Sequence, residues 1–292
     1  MQLGMIGLGR MGGNMAAKLR EGGHEVVGYD VSADSGRDVD SVEGLVAALD
    51  APRTIWMMVP AGRATDATVA ALTAVLEPGD LVVDGGNTRF SDDRGHAEEL
   101  ASHGIHFADV GTSGGVWGRR EGYALMVGGS DEDFDRLVPL LETLKPAGDD
   151  GLVHAGPVGA GHFVKMVHNG IEYGMMQALG EGYAMLEASD LVDDPHAVIA
   201  SWRRGSVIRS WLLDLLSRAL EGDEGLRHVA GRAQESGEAK WMVAEALRMG
   251  IPLPVTTASL FARQSSQVDD PTTMKVVAAL RNQFGGHAVD RE

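Results

Sequence analysis

Met1-Gln-Leu-Gly-Met-Ile-Gly-Leu-Gly-Arg-Met-Gly12 is the stretch that decides the fold. Residues 2–6 form an apolar run of strand length. Gly7-Leu8-Gly9-Arg10-Met11-Gly12 then sets glycines in a G-x-G-x-x-G spacing where a helix begins. The first glycine permits a tight turn, the second lets backbone amides approach a pyrophosphate, and the third lets the helix lie close to the strand. The spacing therefore predicts strand, turn and helix, with a dinucleotide held by Gly7, Leu8, Gly9, Arg10, Met11 and Gly12 at the helix amino end. A second apolar run, 25–29, leads to Asp30. A carboxylate there accepts hydrogen bonds from adenosine ribose hydroxyls and repels a 2′-phosphate, so NAD is the expected cofactor and NADP is disfavoured. The competing reading makes Asp30 only a turn cap for Ser32.

Working outward, short apolar runs at 2–6, 25–29, 54–59, 81–83, 105–108 and 123–127 alternate with amphipathic stretches at 13–20, 64–75, 92–102 and 131–144. That alternation is the mark of βαβ units and a parallel sheet. After Pro157 the strand signals fade into helical patterns at 161–189, 195–204, 206–219, 238–249, 254–266 and 272–282. The expected fold is an α/β Rossmann-type dinucleotide-binding domain over 1–158, followed by an all-α domain over 159–292 for substrate binding and dimerisation. In such sheets ligands bind outside the carboxyl ends of strands. Val59, Pro60 and Ala61 close one strand and Asp84-Gly-Gly-Asn-Thr88 the next, which places these loops, and Asn87 in particular, beside the cofactor. Ser113, Gly114 and Gly115 follow another strand and offer a hydroxyl and amides to a carboxylate.

Composition narrows the partners. With 42 acidic against 25 basic residues the formal charge is −17, which disfavours nucleic acid and anionic membranes. An anionic substrate would then need a local cluster of cations. There is no cysteine, which removes disulfides and thiolate chemistry and fits a cytoplasmic home. The amino terminus lacks a basic segment before its apolar run, and no apolar stretch approaches the ~20 residues of a membrane helix. No His-x-x-x-His pair stands on a carboxylate-rich helix, so a metal site is not expected.

The chemistry concentrates in Gly161-His-Phe-Val-Lys-Met-Val-His-Asn-Gly-Ile-Glu-Tyr173. Lys165, His168, Asn169 and Glu172 fall at i, i+3, i+4 and i+7, on one face of a helix. They supply an amine that becomes a base when burial lowers its pKa, an acid, and two groups that hold a polyhydroxylated substrate. Phe163, Val164, Met166, Val167, Ile171, Met175 and Met176 make the segment apolar nearly all round, which predicts a largely buried helix.

These motifs together resemble the β-hydroxyacid dehydrogenases and, among them, the decarboxylating 6-phosphogluconate dehydrogenases. Gly-Leu-Gly-Arg-Met-Gly at 7–12, Asp-Gly-Gly-Asn-Thr at 84–88, Ser-Gly-Gly at 113–115 and the run around Lys165 carry the likeness, and they cover both halves. Lys165 and Asn169 belong to the wider group; His168, Glu172 and Tyr173 point to the phosphogluconate branch. Lys240-Trp241 and Arg281-Asn-Gln-Phe-Gly-Gly-His287 agree with it.

The resemblance implies a pentose-phosphate-type oxidation of a phosphorylated sugar acid, with Lys165 as base and Glu172 as acid. Ser113, Gly114, Gly115, His168 and Asn169 would hold the carboxylate and hydroxyls, and Asn87 would stand between substrate and cofactor. Tyr173, Lys240, Arg281 and His287 would gather on the phosphate, the last two from a neighbouring subunit of a homodimer or homotetramer. The chain is similar to the family's short form. Arg209, in a Trp-Arg-Arg-Gly-Ser-Val-Ile-Arg segment, precedes Lys240, unlike the long-form order. Two other readings stay open. A non-decarboxylating, 3-hydroxyisobutyrate-like dehydrogenase would need Lys165 but not Glu172 or the phosphate cluster. A non-catalytic NAD sensor would need neither Lys165 nor Glu172.

Overall fold

A computed structural model describes residues 1–285 and residue 288. The chain divides into two compact units, Met1–His168 and Asn169–Glu292.

The first unit is built on a sheet of order β2-β1-β3-β4-β5-β6-β7. Its strands are β1 (Gln2–Ile6), β2 (Glu25–Tyr29), β3 (Thr54–Met57), β4 (Leu81–Asp84), β5 (His106–Ser113), β6 (Ala124–Gly128) and β7 (Leu152–Gly156). Every residue of β3 and β4 is buried, as expected of strands covered on both faces. Alternate side chains feed opposite cores. Trp56, Leu81 and Val83 join one cluster, while Ile55, Met57 and Val82 join the other.

The helices show why the pattern folds this way. Helix α1 (Arg10–Glu21) buries Gly12, Met15, Ala16 and Leu19, a single stripe at helical spacing. Helices α2 (Val42–Ala47), α3 (Arg63–Thr73), α4 (Phe90–Ala101) and α5 (Gly118–Glu121) follow. Helix α6 (Asp131–Leu144) starts where the Ser130 hydroxyl accepts from the Asp133 amide, with three acids in its first turn. It buries Leu137, Leu140, Leu141 and Leu144, each contributing roughly 2 kcal/mol.

Two expectations are corrected here. β5 and β6 are antiparallel, because residues 114–123 are too few for the crossover that parallel strands require. β7, which has no clear apolar signal, adds a strand parallel to β6.

Helix α7 (Ala160–Glu187) starts in the first unit and ends in the second. It is followed by α8 (Pro195–Trp202), α9 (Trp211–Gly222), α10 (Glu238–Met249), α11 (Pro254–Ser265) and α12 (Thr272–Gly285). α9 begins later than the sequence pattern indicates, because Ser210 caps it through the Leu213 amide. Among its described residues the helical unit has two small cores. Tyr183, Ile199, Leu213 and Leu220 form one, and Tyr173, Ala239 and Leu260 the other. Among the described residues no helix is long and apolar enough to cross a membrane.

Candidate active site

The glycine turn closes as its spacing predicts. Gly7 has φ +90°, and a Cβ there would stand 2.5 Å from the Met58 carbonyl oxygen. A Cβ on Gly12 would strike the Gly7 carbonyl, so the first and third glycines serve the turn and the packing. Gly9 differs: nothing lies within 4 Å of where its Cβ would be. That open backbone, at the amino end of α1, is a place where a pyrophosphate fits. Arg10 is exposed and Met11 half-buried beside it.

Asp30 directly follows β2 and ties the turn together. Its Oδ2 accepts from the Leu8 amide at 2.7 Å and its Oδ1 from the Ser32 amide at 2.8 Å. The turn-capping role is therefore present, but the same carboxylate also reaches the glycine turn. Arg37 donates to the Asp30 main-chain carbonyl at 3.1 Å and pairs with Asp40. At the next strand end Val59 is half-buried, Pro60 and Ala61 are exposed, and Thr65 donates to the Pro60 carbonyl at 3.1 Å.

The loop after β4 is shaped by Asp84, which is fully buried. Its carboxylate accepts from the Gly86 amide at 2.9 Å and the Thr88 hydroxyl at 2.7 Å, which fixes the backbone on either side of half-buried Asn87. β5 ends at Ser113, and Gly114 and Gly115 turn away at positive φ. The Ser113 hydroxyl lies 3.1 Å from His168 Nε2, so the structure brings together two residues set 55 apart in sequence.

α7 carries Lys165, His168, Asn169 and Glu172, all half-buried. The expectation of a largely buried helix is not met. Val164, Ile171 and Met175 are 36%, 55% and 41% exposed, while Met166, Gly170 and Tyr173 on the other side are buried. The helix is apolar all round yet covered along one stripe only.

Its first turn rests directly on the sheet. A Cβ on Gly161 would stand 2.6 Å from the Asp109 carbonyl oxygen, and one on Gly111 would stand 2.6 Å from the Lys165 Cβ. The Asp109 carboxylate caps the helix, accepting from the Gly159 amide at 2.6 Å and the His162 amide at 2.8 Å. His162 Nδ1 lies 2.8 Å from Asp93 Oδ2, and both residues are buried. Burial pushes the Asp93 carboxyl up to about 6, against the pull of His162. Burial works to lower the His162 pKa, but the bond and charge of Asp93 outweigh it and push it to about 9. Near neutral pH the two form an ion pair.

Asp84, Asp93 and His162 are also the one group of potential metal donors among the described residues. Asp84 is bonded to Gly86 and Thr88, and Asp93 Oδ2 to His162 Nδ1, so part of this donor set is spent on internal bonds.

In the helical unit Tyr173 is buried, and its hydroxyl accepts from the Ser236 amide at 3.0 Å. The Arg263 guanidinium lies 3.4 Å above the Tyr173 ring and donates to the Gln234 carbonyl at 3.3 Å. Sequence reasoning did not single out Arg263, whose contact with Tyr173 spans 90 residues. It missed Asp93, Asp109 and His162 for the same reason. Lys240 is exposed in the first turn of α10, and Arg281 is exposed on α12. Arg209 is exposed in the turn before α9. His287 lies outside the described residues.

Comparison with known proteins gives two family matches. The model for the NAD binding domain of 6-phosphogluconate dehydrogenase covers residues 2–147, and that for the 6-phosphogluconate dehydrogenase C-terminal domain covers 161–283. The NAD(+)-dependent, decarboxylating 6-phosphogluconate dehydrogenase of Haloferax volcanii is 42% identical, over 100% of this chain and 99% of its own. An NADP(+)-dependent, decarboxylating relative from Bacillus subtilis is 39% identical, over 90% of this chain and 60% of its own. Among solved structures, Plasmodium falciparum 6-phosphogluconate dehydrogenase matches with a TM-score of 0.85 at 26% identity, over 100% of this chain and 66% of its own.

Proposed function

Since the chain belongs to the 6-phosphogluconate dehydrogenase family, we propose that it converts 6-phosphogluconate to ribulose 5-phosphate and CO₂ with NAD as oxidant. The observation that carries this reading is one helix bearing Lys165, His168, Asn169 and Glu172, with His168 held to Ser113 at the end of β5.

The residues fit a dinucleotide. Gly9 leaves open backbone at the amino end of α1, and Asp30 sets a carboxylate beside that turn. Relatives named for NAD and for NADP are similarly close in identity, so the cofactor preference rests on Asp30. Its charge favours ribose hydroxyls and repels a 2′-phosphate. The bound nicotinamide supplies the hydride acceptor for C3.

Lys165, in its neutral amine form, takes the proton of the C3 hydroxyl. The resulting ammonium then donates to the C3 oxygen of the 3-keto acid, where charge develops as the C1–C2 bond breaks and CO₂ leaves. Glu172 protonates the carbon that becomes C1 of the product. Ser113, Gly114, Gly115, His168 and Asn169 hold the carboxylate and hydroxyls, with Asn87 between substrate and cofactor. Tyr173, Lys240, Arg281 and His287 bind the phosphate, and Arg263, stacked on Tyr173, joins them. In a chain of net charge −17 such a cluster is what an anionic substrate requires. Assembly as a homodimer or homotetramer is supported by the apolar side chains exposed at Ile171, Phe261, Met274 and Leu280.

The test is NADH and CO₂ release from 6-phosphogluconate, against unphosphorylated gluconate and against NADP. Lys165→Ala and Glu172→Gln should each lower kcat by about 10²- to 10⁴-fold. Near wild-type turnover in either would overturn its assigned role, and equal rates on gluconate would remove the phosphate cluster.

A further inference from the structure

Three buried carboxylates and a buried histidine surround the start of α7, each from a different element. They are Asp84 from β4, Asp93 from α4, Asp109 from β5 and His162 from α7, all 1% exposed or less. Asp109 grips the first turn through the Gly159 and His162 amides, and Asp93 grips it from the side through His162 Nδ1. Phe90, at the start of α4, packs edge-on against Phe163 at 5.2 Å. Below, Gly161 and Gly111 bring the helix onto β5 at backbone contact, directly under Lys165.

A stability role alone explains this poorly. Buried ion pairs add little net stability over an apolar pair of similar volume. Among the described residues Asp93 Oδ1 and His162 Nε2 also have no hydrogen-bond partner, which is a further cost. What the pair supplies is direction. Apolar contacts allow a helix to roll about its axis, whereas charge-assisted bonds of 2.6–2.8 Å fix its azimuth. His162 and Lys165 are one helical turn apart on neighbouring positions, so the azimuth of one sets that of the other.

We infer that the Asp93–His162 pair, with the Asp109 cap, is a positioning device that fixes the rotational setting of α7 and thereby aims Lys165. This rests on the reading of Lys165 as the base. His162 and Asp93 act through Lys165 and touch no substrate. Asp84, in the same buried group, sets the Asn87 loop, so one network of charges holds both sides of the place where hydride leaves.

The experiment compares His162→Leu, His162→Asn and Asp93→Asn in steady-state assays with 6-phosphogluconate and NAD. Leucine removes the bond to Asp93, whereas asparagine can donate from nearly the same place as Nδ1. His162→Leu should lose about 10²-fold in kcat, the order expected for an ~1 Å misplacement, with KM for both substrates held within about threefold. His162→Asn should recover most of that loss. Unchanged kcat in His162→Leu, equal losses in the leucine and asparagine variants, or a loss confined to KM for NAD would each overturn the inference.

If His162→Leu does not fold, Asp93→Asn carries the test. Its kcat should fall by about tenfold at unchanged KM, and unchanged kcat would overturn the inference. Lys165→Ala separates the two claims. An active Lys165→Ala removes the base itself, while an inactive one beside a fully active His162→Leu removes only the positioning role.

Discussion

The sheet-based unit and the helical unit reach a packed interior in different ways. The first buries Leu3, Ile55, Val83 and Leu141 completely between strands and helices. Among its described residues the second forms two small apolar clusters and leaves Phe261, Met274 and Leu280 more than half exposed. The first therefore holds its glycine turn, Asn87 loop and Lys165 by its own packing. The second carries Lys240 and Arg281 at exposed positions, where its own packing does little to order the side chains.

Helix α7 offers the sharpest test of that contrast, because it contains glycines of both kinds. Gly161→Val would drive a side chain into the backbone carbonyls of Met126 and Asp109, so a destabilisation of about 3 kcal/mol is expected. Gly180→Ala, where nothing lies within 4 Å, should instead stabilise by about 0.5–1 kcal/mol. Urea unfolding of both variants checks this. Similar losses at the two positions would erase the distinction between the regions.

Next in size is Arg263→Met. Loss of its charge should raise KM for 6-phosphogluconate by about 10- to 100-fold, the range for a hydrogen bond to a charged group. KM for NAD and the rate on gluconate should be unmoved, as initial rates with each substrate will reveal. In the first unit, Asp30→Ser should reduce the preference for NAD over NADP by about tenfold, measured as the ratio of kcat/KM values. An unchanged ratio would leave the preference without its carboxylate.

A further expected effect is on pH dependence. His162 has a folded pKa of about 9 against an ordinary 6.5, so its contribution to stability is complete below pH 6.5 and is lost as pH rises through 9. Asp93, raised from 3.8 to about 6, loses its own contribution earlier, as pH rises through 6. Thermal unfolding should therefore show wild type above His162→Asn at pH 6.5, with the gap narrowing by pH 9. A gap that widens over that interval would contradict the ion pair.

What the sequence disclosed, and what it hid, divides along the range of the interaction. The strand, turn and first helix are readable because Gly7, Gly12 and the stripe of Met15, Ala16 and Leu19 act on near neighbours. The antiparallel setting of β6 was hidden because an apolar run has the same pattern in either direction. β7, as Leu-Val-His-Ala-Gly, is short and half-buried, so alternation could not mark it. The exposure of Val164, Ile171 and Met175 was hidden because an all-round apolar helix does not say which stripe is covered. The partners of Asp109, His162 and Arg263 lie roughly 50 to 90 residues away, and no local spacing reports such pairs.

Helix α7 has one more consequence. Lys165 and Glu172 stand on a single uninterrupted helix, so the spacing between them along its axis is set by the helical rise at about 10 Å. It behaves as a ruler. On the proposed roles of Lys165 and Glu172, proton removal and proton delivery would keep that interval through every turnover, whatever movement substrate entry and product release require of the loops.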